Sequence, residues 1–171
     1  MGASIRLVIF DLDGTLVHLP IDYEKLRHRI SEVLRIGRVD TILDVFSKTD
    51  ENARKRVFDV WSRLEMEALS GMTENARGIR LYNIFCDKVR CLVTLQGRRV
   101  VERILEKTGL SFDHVVTRED SLSRVEQIRM VIDRFGADPK EVLFIGDRES
   151  DREAAERNGC LFMFVWEKKK F

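Results

Sequence analysis

Residues 8–17 read V-I-F-D-L-D-G-T-L-V, an apolar run of β-favouring residues that stops at two carboxylates, a glycine and a threonine. Leu7, Val8, Ile9 and Phe10 suit a strand covered on both faces, whereas a bare carboxylate does not. Asp11 and Asp13 therefore fall at the carboxyl end of the strand, where open α/β sheets receive their ligands. Residues two apart on extended backbone share a side, so the two acids point together and Leu12 points away. Paired acids of this kind attract a hard cation, and Mg²⁺ takes oxygen ligands while keeping part of its water shell. A plain turn is the simpler account of a lone D-x-D-G, and the four apolar residues in front of it weigh against that account. An EF-hand calcium loop fails on spacing. With Asp11 and Asp13 as its first and third positions, the glycine it needs would fall at Leu16.

A second junction repeats the logic. Residues 142–151 read V-L-F-I-G-D-R-E-S-D, again a short apolar strand running into acid. With a helix beginning near Ser150, Asp147 lies just before it and Asp151 in its first turn. Asp151 alone is accounted for as an acid favoured by a helix dipole. Two strand-end acid clusters in one small domain ask for more than turns and caps.

Strands at 89–94, 114–116, 142–145 and 161–165 alternate with helices over 75–86, 97–107, 123–135 and 151–158. That alternation predicts an α/β fold with a doubly wound, parallel, five-stranded Rossmann-like sheet. Three more helices, over 22–35, 40–46 and 50–69, interrupt the first crossover. Asp22 is the expected N-cap of the first and Gly37 its expected stop. The third carries Ala53, Val57, Val60, Trp61, Leu64 and Ala68 along one face. A crossover needs only one helix. The surplus predicts a small α-helical cap, residues 20–72, over a core of 1–19 and 73–171; a helical hairpin remote from the site is the other placement.

The motifs D-L-D-G-T-L at 11–16 and G-D-R-E-S-D at 146–151 resemble the first and fourth motifs of the haloacid dehalogenase-like hydrolase superfamily. From residue 74 onward, with T-R-E-D at 117–120 and E-Q-I-R at 126–129, the chain resembles the phosphoglycolate phosphatase-like branch. The resemblance implies a strand order of 3-2-1-4-5 among the five strands. It also implies a Mg²⁺-dependent phosphatase that hydrolyses a small-molecule phosphomonoester through a phospho-aspartate. Asp11 would be the nucleophile and Asp13 the general acid and base. Gly14, Thr94, Leu95 and a cation would hold phosphoryl oxygens, and Asp11, Asp13, Asp147 and Asp151 the metal. One departure stands out. The family carries a lysine just before the helix that starts here near Val125, and this chain has no lysine between Lys107 and Lys140. Arg124 is the nearest substitute and Arg118 the second, although a planar fork and an ammonium differ in reach.

Charge sharpens the expected partners. The chain has 30 basic and 29 acidic residues among 171, a balance that gives no drive toward nucleic acid or an anionic membrane surface. A small phosphorylated metabolite is the expected partner. The apolar run before Asp11 is too short for a signal peptide, and Gly2 lacks the Ser or Thr of a myristoylation motif. Cys86, Cys91 and Cys160 have no C-x-x-C spacing, which fits reduced thiols and a cytoplasmic location. Lys168, Lys169 and Lys170 read as a solubilising tail. His18, His28 and His114 lack metal-ligand spacing. Arg98 and Arg99 are candidates to meet an anion at a helix N-terminus. Two other function classes remain: a weak or inactive family member acting as a binding or regulatory module, motivated by the missing lysine, and a phospho-accepting receiver-like domain.

Overall fold

The run Leu7–Phe10 forms strand β1, whose four side chains are all buried in the computed structural model, which describes residues 4–166. Gly2 and Lys168–Lys170 lie outside the described residues. In chain order there follow β2 (Val17–His18), α1 (Tyr23–Leu34), α2 (Ile42–Phe46), α3 (Glu51–Ala68) and β3 (Thr73–Glu74). Next come α4 (Ala76–Ile84), β4 (Val89–Val93), α5 (Arg98–Thr108), β5 (His114–Val116) and α6 (Arg124–Phe135). The last are β6 (Val142–Gly146), α7 (Glu149–Arg157) and β7 (Leu161–Phe164).

The main sheet is parallel throughout, in the order β5-β4-β1-β6-β7. Numbering only these five strands along the chain gives 3-2-1-4-5, the expected doubly wound order. β1 is central because both faces need cover: Val8 and Phe10 pack toward Val100, Val101 and Ile104 of α5, and Leu7 and Ile9 toward Ile128 and Val131 of α6. A strand buried on both faces reads as an unbroken apolar run.

Two strands of two residues each were not expected. β2 and β3 pair antiparallel, Val17 with Glu74 and His18 with Thr73, and form the two stems through which the chain enters and leaves the helical insert. The insert has its own cluster, in which Leu26 and Ile30 meet Phe46, Val57, Trp61 and Leu64. Asp22 caps α1 by accepting from the Lys25 N–H, and Asp50 caps α3 by accepting from the Ala53 N–H; such caps contribute about 1 kcal/mol each. α1 does not run to Gly37. It closes at Arg35, which takes the left-handed conformation at φ 53° and leaves Gly37 beyond the turn. α7 begins two residues earlier than expected, at Glu149, because the Asp151 carboxylate accepts from the Arg148 N–H and organises the first turn.

No helix among the described residues is long and apolar enough to cross a membrane.

Candidate active site

β1 and β6 are in register, Phe10 beside Ile145, so the residues just past their ends emerge side by side. The chain turns sharply after Asp11: the carbonyl of Leu12 accepts from the N–H groups of Thr15, Leu16 and Val17. Gly14 occupies the turn at φ +84°, and a Cβ there would collide with the Asp147 carboxylate. Glycine thus serves two needs, a left-handed backbone and close approach of a neighbouring acid.

Asp11, Asp147 and Asp151 each offer an oxygen within 4.8 Å of the others. Asp11 and Asp151 are almost fully buried, and the Oδ1 of Asp147 is buried with no hydrogen-bond partner. Burial pushes the Asp11 carboxyl up to about 7, the guanidinium of Arg124 pulls it down, and Asp151 and Asp147 push it up again. Burial also raises Asp147, against the pull of Arg148. Three crowded carboxylates with one orphaned oxygen lack positive charge. An all-oxygen donor set of this kind fits a hard divalent cation such as Mg²⁺.

Arg124, the first residue of α6, reaches this cluster. Its Nη2 donates to Asp11 Oδ1 at 2.9 Å, its Nε lies 3.3 Å from Asp151 Oδ1, and its Nη1 donates to the Val93 carbonyl at 2.8 Å. All three arms of the fork are used, which fixes the guanidinium as no flexible ammonium would be fixed. Arg118 goes elsewhere: it is buried against Glu65 of α3, away from the acid cluster. Its aromatic neighbours Trp61 and Phe58 explain the destination, since a guanidinium stacks on such faces.

The side chain of Asp13 stands outside the three-acid cluster. Its Oδ1 accepts from the Leu19 N–H at 2.8 Å, and burial raises its carboxyl. Asp11 and Asp13 nevertheless line one cavity of about 530 Å³, shared with Tyr23, Arg27, Leu95 and Arg124. Burial lifts the Tyr23 phenol to about 12, so it stays a neutral donor. Thr94, just past the end of β4, faces its own turn. Its hydroxyl is fully buried, donates to Gln96 Oε1 at 2.7 Å and accepts from the Gln96 N–H at 3.1 Å. The tight turn engages the hydroxyl, and the neighbouring Leu95 and Gln96 line the cavity. Arg98 and Arg99 are both exposed, and Arg98 pairs with Asp120 at 2.6 Å, while the Arg98 N–H at the start of α5 donates to Glu119. His18 is exposed on β2.

Sequence reasoning passed over Gln127 and Glu65. Gln127 is fully buried, and its amide nitrogen donates to the carbonyls of Thr94, Thr117 and Ser121, tying the loops around the site to α6. Glu65 carried a readable signal: an acid inside the apolar stripe Val57, Trp61, Leu64, Ala68 needs a buried partner.

Comparison with known proteins agrees with this geometry. The model of the haloacid dehalogenase-like hydrolases matches residues 86–165. A pyrophosphatase PpaX of Oceanobacillus iheyensis is 25% identical over 90% of this chain and 80% of its own length. The PpaX of a Bacillus cereus strain is 27% identical over 91% and 80%. Among solved structures, a hydrolase from Pseudomonas syringae superposes with a TM-score of 0.72 at 19% identity, covering 92% of this chain and 83% of that one. A HAD-superfamily hydrolase, subfamily IA, from Geobacter sulfurreducens gives 0.65 at 22%, covering 93% and 88%. Over residues 86–165, just under half of its length, the chain is thus similar to the haloacid dehalogenase-like hydrolases.

Proposed function

We propose that the protein is a Mg²⁺-dependent phosphatase acting on a small phosphorylated metabolite through a phospho-aspartate on Asp11, with residues 20–72 as a cap over the core of 1–19 and 73–171. The observation that carries the reading is the orphaned Oδ1 of Asp147 beside Asp11 and Asp151 at the edge of a small-molecule cavity. Bound there by Asp11, Asp147 and Asp151, Mg²⁺ would offset the repulsion between the carboxylates and an incoming phosphate.

The protein's own groups supply the rest. An oxygen of Asp11 attacks phosphorus and the bond to the leaving oxygen breaks. Asp13, whose carboxyl is raised by burial, hands its proton to that oxygen and then takes one from the water that cleaves the phospho-aspartate. Arg124 steadies Asp11 and brings positive charge to the phosphoryl group, in the place of the family's lysine. A cation held this firmly against Asp11 speaks for an active enzyme rather than a binding module.

The test is hydrolysis of an aryl phosphate with Mg²⁺ and with EDTA. Activity should require the metal. In Asp13→Asn the adduct on Asp11 should persist and be visible by mass spectrometry, because an activated leaving group needs little protonation whereas water needs the base. Full activity in EDTA, or wild-type turnover in Asp13→Asn, refutes the mechanism.

The pyrophosphatases among the relatives raise a second substrate class, a phosphoanhydride. Arg27 favours it. This half-buried guanidinium lines the cavity and has no carboxylate partner among the described residues, so it is available for an anionic leaving group. Arg27→Ala should then impair pyrophosphate hydrolysis more than aryl phosphate hydrolysis.

A further inference from the structure

We propose that Glu65, from the insert, and Arg118, from the segment after β5, are positioning residues for the phosphoryl site, acting through the loop that presents Leu95 to the cavity. This rests on the phosphatase reading. Both side chains are wholly removed from solvent. Arg118 Nη1 donates to Glu65 Oε1 at 2.5 Å and Nη2 to Oε2 at 3.0 Å, a two-pronged pair between α3 and the segment after β5.

The pair continues into the loop. Both Glu65 oxygens accept from the Gly97 N–H at 3.3 Å, and Arg118 Nη1 also donates to the Leu95 carbonyl at 3.3 Å. The loop's other amides are also engaged: Thr94 N–H donates to the Val116 carbonyl, Gln96 N–H to the Thr94 hydroxyl and Arg98 N–H to Glu119. From Thr94 to Arg98, only the Leu95 N–H has no acceptor among the described residues, and Leu95 lines the cavity beside Asp11. The network leaves one donor free for a phosphoryl oxygen and fixes the loop on either side of it.

Energetics point the same way. A buried ion pair is a poor way to add stability, because well-packed apolar residues do as well. Apolar residues here would strand the Gly97 N–H without its partner, and an unmet buried donor is costly. Charge at these two positions is therefore explained by the loop it shapes. Gly97 completes the device: a Cβ there would come within 2.6 Å of Arg118 Nη2 and 3.1 Å of Glu65 Oε2. Helix α3 is thus part of the wall of the phosphoryl site.

The experiment measures kcat and KM for an aryl phosphate, inorganic phosphate binding and Mg²⁺ binding in wild type, Glu65→Gln, Gly97→Ala and Val57→Ala. Val57 is buried in the insert and makes none of the network's hydrogen bonds, so its variant controls for lost stability. Glu65→Gln and Gly97→Ala should lower kcat about tenfold or more, the scale of a slightly misplaced donor, and weaken phosphate binding in step. Mg²⁺ affinity should hold, and Val57→Ala should lower the melting temperature without moving kcat. Should Glu65→Gln fail to fold, Gly97→Ala, which keeps both charges, decides the matter. An active wild type whose variants behave like Val57→Ala overturns this proposal alone. A wild type that neither binds phosphate nor hydrolyses the ester overturns the phosphatase reading with it.

Discussion

Behind the loop at 95–97, Arg118 and Glu65 meet one to one, out of reach of water. In front of it, Asp11, Asp147 and Asp151 crowd around Arg124, and one carboxylate oxygen has nothing to bind. The same kinds of group end in opposite states, with Arg118 and Arg124 only six residues apart. Where charge is matched and each carboxylate oxygen is used, the result is a fixed piece of architecture. Where negative charge exceeds positive, the fold holds an electrostatic imbalance that a cation can resolve. Sites of catalysis are where such imbalance is concentrated.

The contrast is broken most forcefully at Asp11. Asp11→Asn keeps the shape and removes the proposed nucleophile, so aryl phosphate hydrolysis should fall at least about a thousandfold; turnover near the wild-type rate would move the chemistry elsewhere. On the matched side a loss of stability should come with the loss of kcat. Arg118→Ala leaves Glu65 buried and unpaired, which typically costs about 3–5 kcal/mol. Denaturant unfolding reads this directly, and an unshifted midpoint would mean that the pair is not insulated as described. Arg124→Ala should cost about a hundredfold in kcat, as for one preorganised donor. Arg124→Lys should recover part of it if charge counts for more than the fork.

The crowded side should also respond to pH. Asp11 is raised from 3.8 to about 7 in the folded protein. The folded state thus keeps a proton that the unfolded chain sheds, and the associated stability is complete below pH 4 and lost as pH rises toward 7. Metal-free protein should lose melting temperature over that window, and Asp11→Asn should flatten the slope. A slope identical in Asp11→Asn would show that other groups cause it. The smallest effect concerns thiols. Burial lifts Cys91 to about 12 and Cys160 to about 11, while Cys86 is exposed. A thiol reagent at pH 8 should label Cys86 alone, with little change in fold; rapid labelling of Cys91 would contradict its burial in β4.

The five main strands were legible because each is an apolar run ended by a polar signal, and the acids at 11 and 147 because charge interrupts those runs abruptly. The β2–β3 ribbon was not legible: pairs of two residues have no periodicity to read, and their partners are separated by the whole insert. Arg35 rather than Gly37 closes α1 because the last turn is satisfied locally, the Ile36 N–H donating to the Ser31 carbonyl. Arg124 was placed beside the site by its position before a helix, but its three simultaneous partners depend on the register of α6 against β4. The Thr94 hydroxyl could be aimed only by knowing that Gln96 folds back upon it. Glu65 looked like one more acid on a charged helix until its neighbours in the apolar stripe were counted.

The position of β1 carries a consequence for how the chain is made. Leu7 pairs with Val89 on one side and Val142 on the other, so the earliest strand of the sheet takes its centre. During synthesis its apolar residues must wait for partners that leave the ribosome much later. Contacts this distant in sequence slow folding, because the chain must close long loops before they reward it. The helical insert, whose contacts are local, can form while β1 is still waiting. Asp11 meets Asp147 only when the sheet closes around β1, so the acid cluster should be among the last parts of the molecule to assemble. Until then the exposed run Leu7–Phe10 is the segment most open to chaperones or to aggregation.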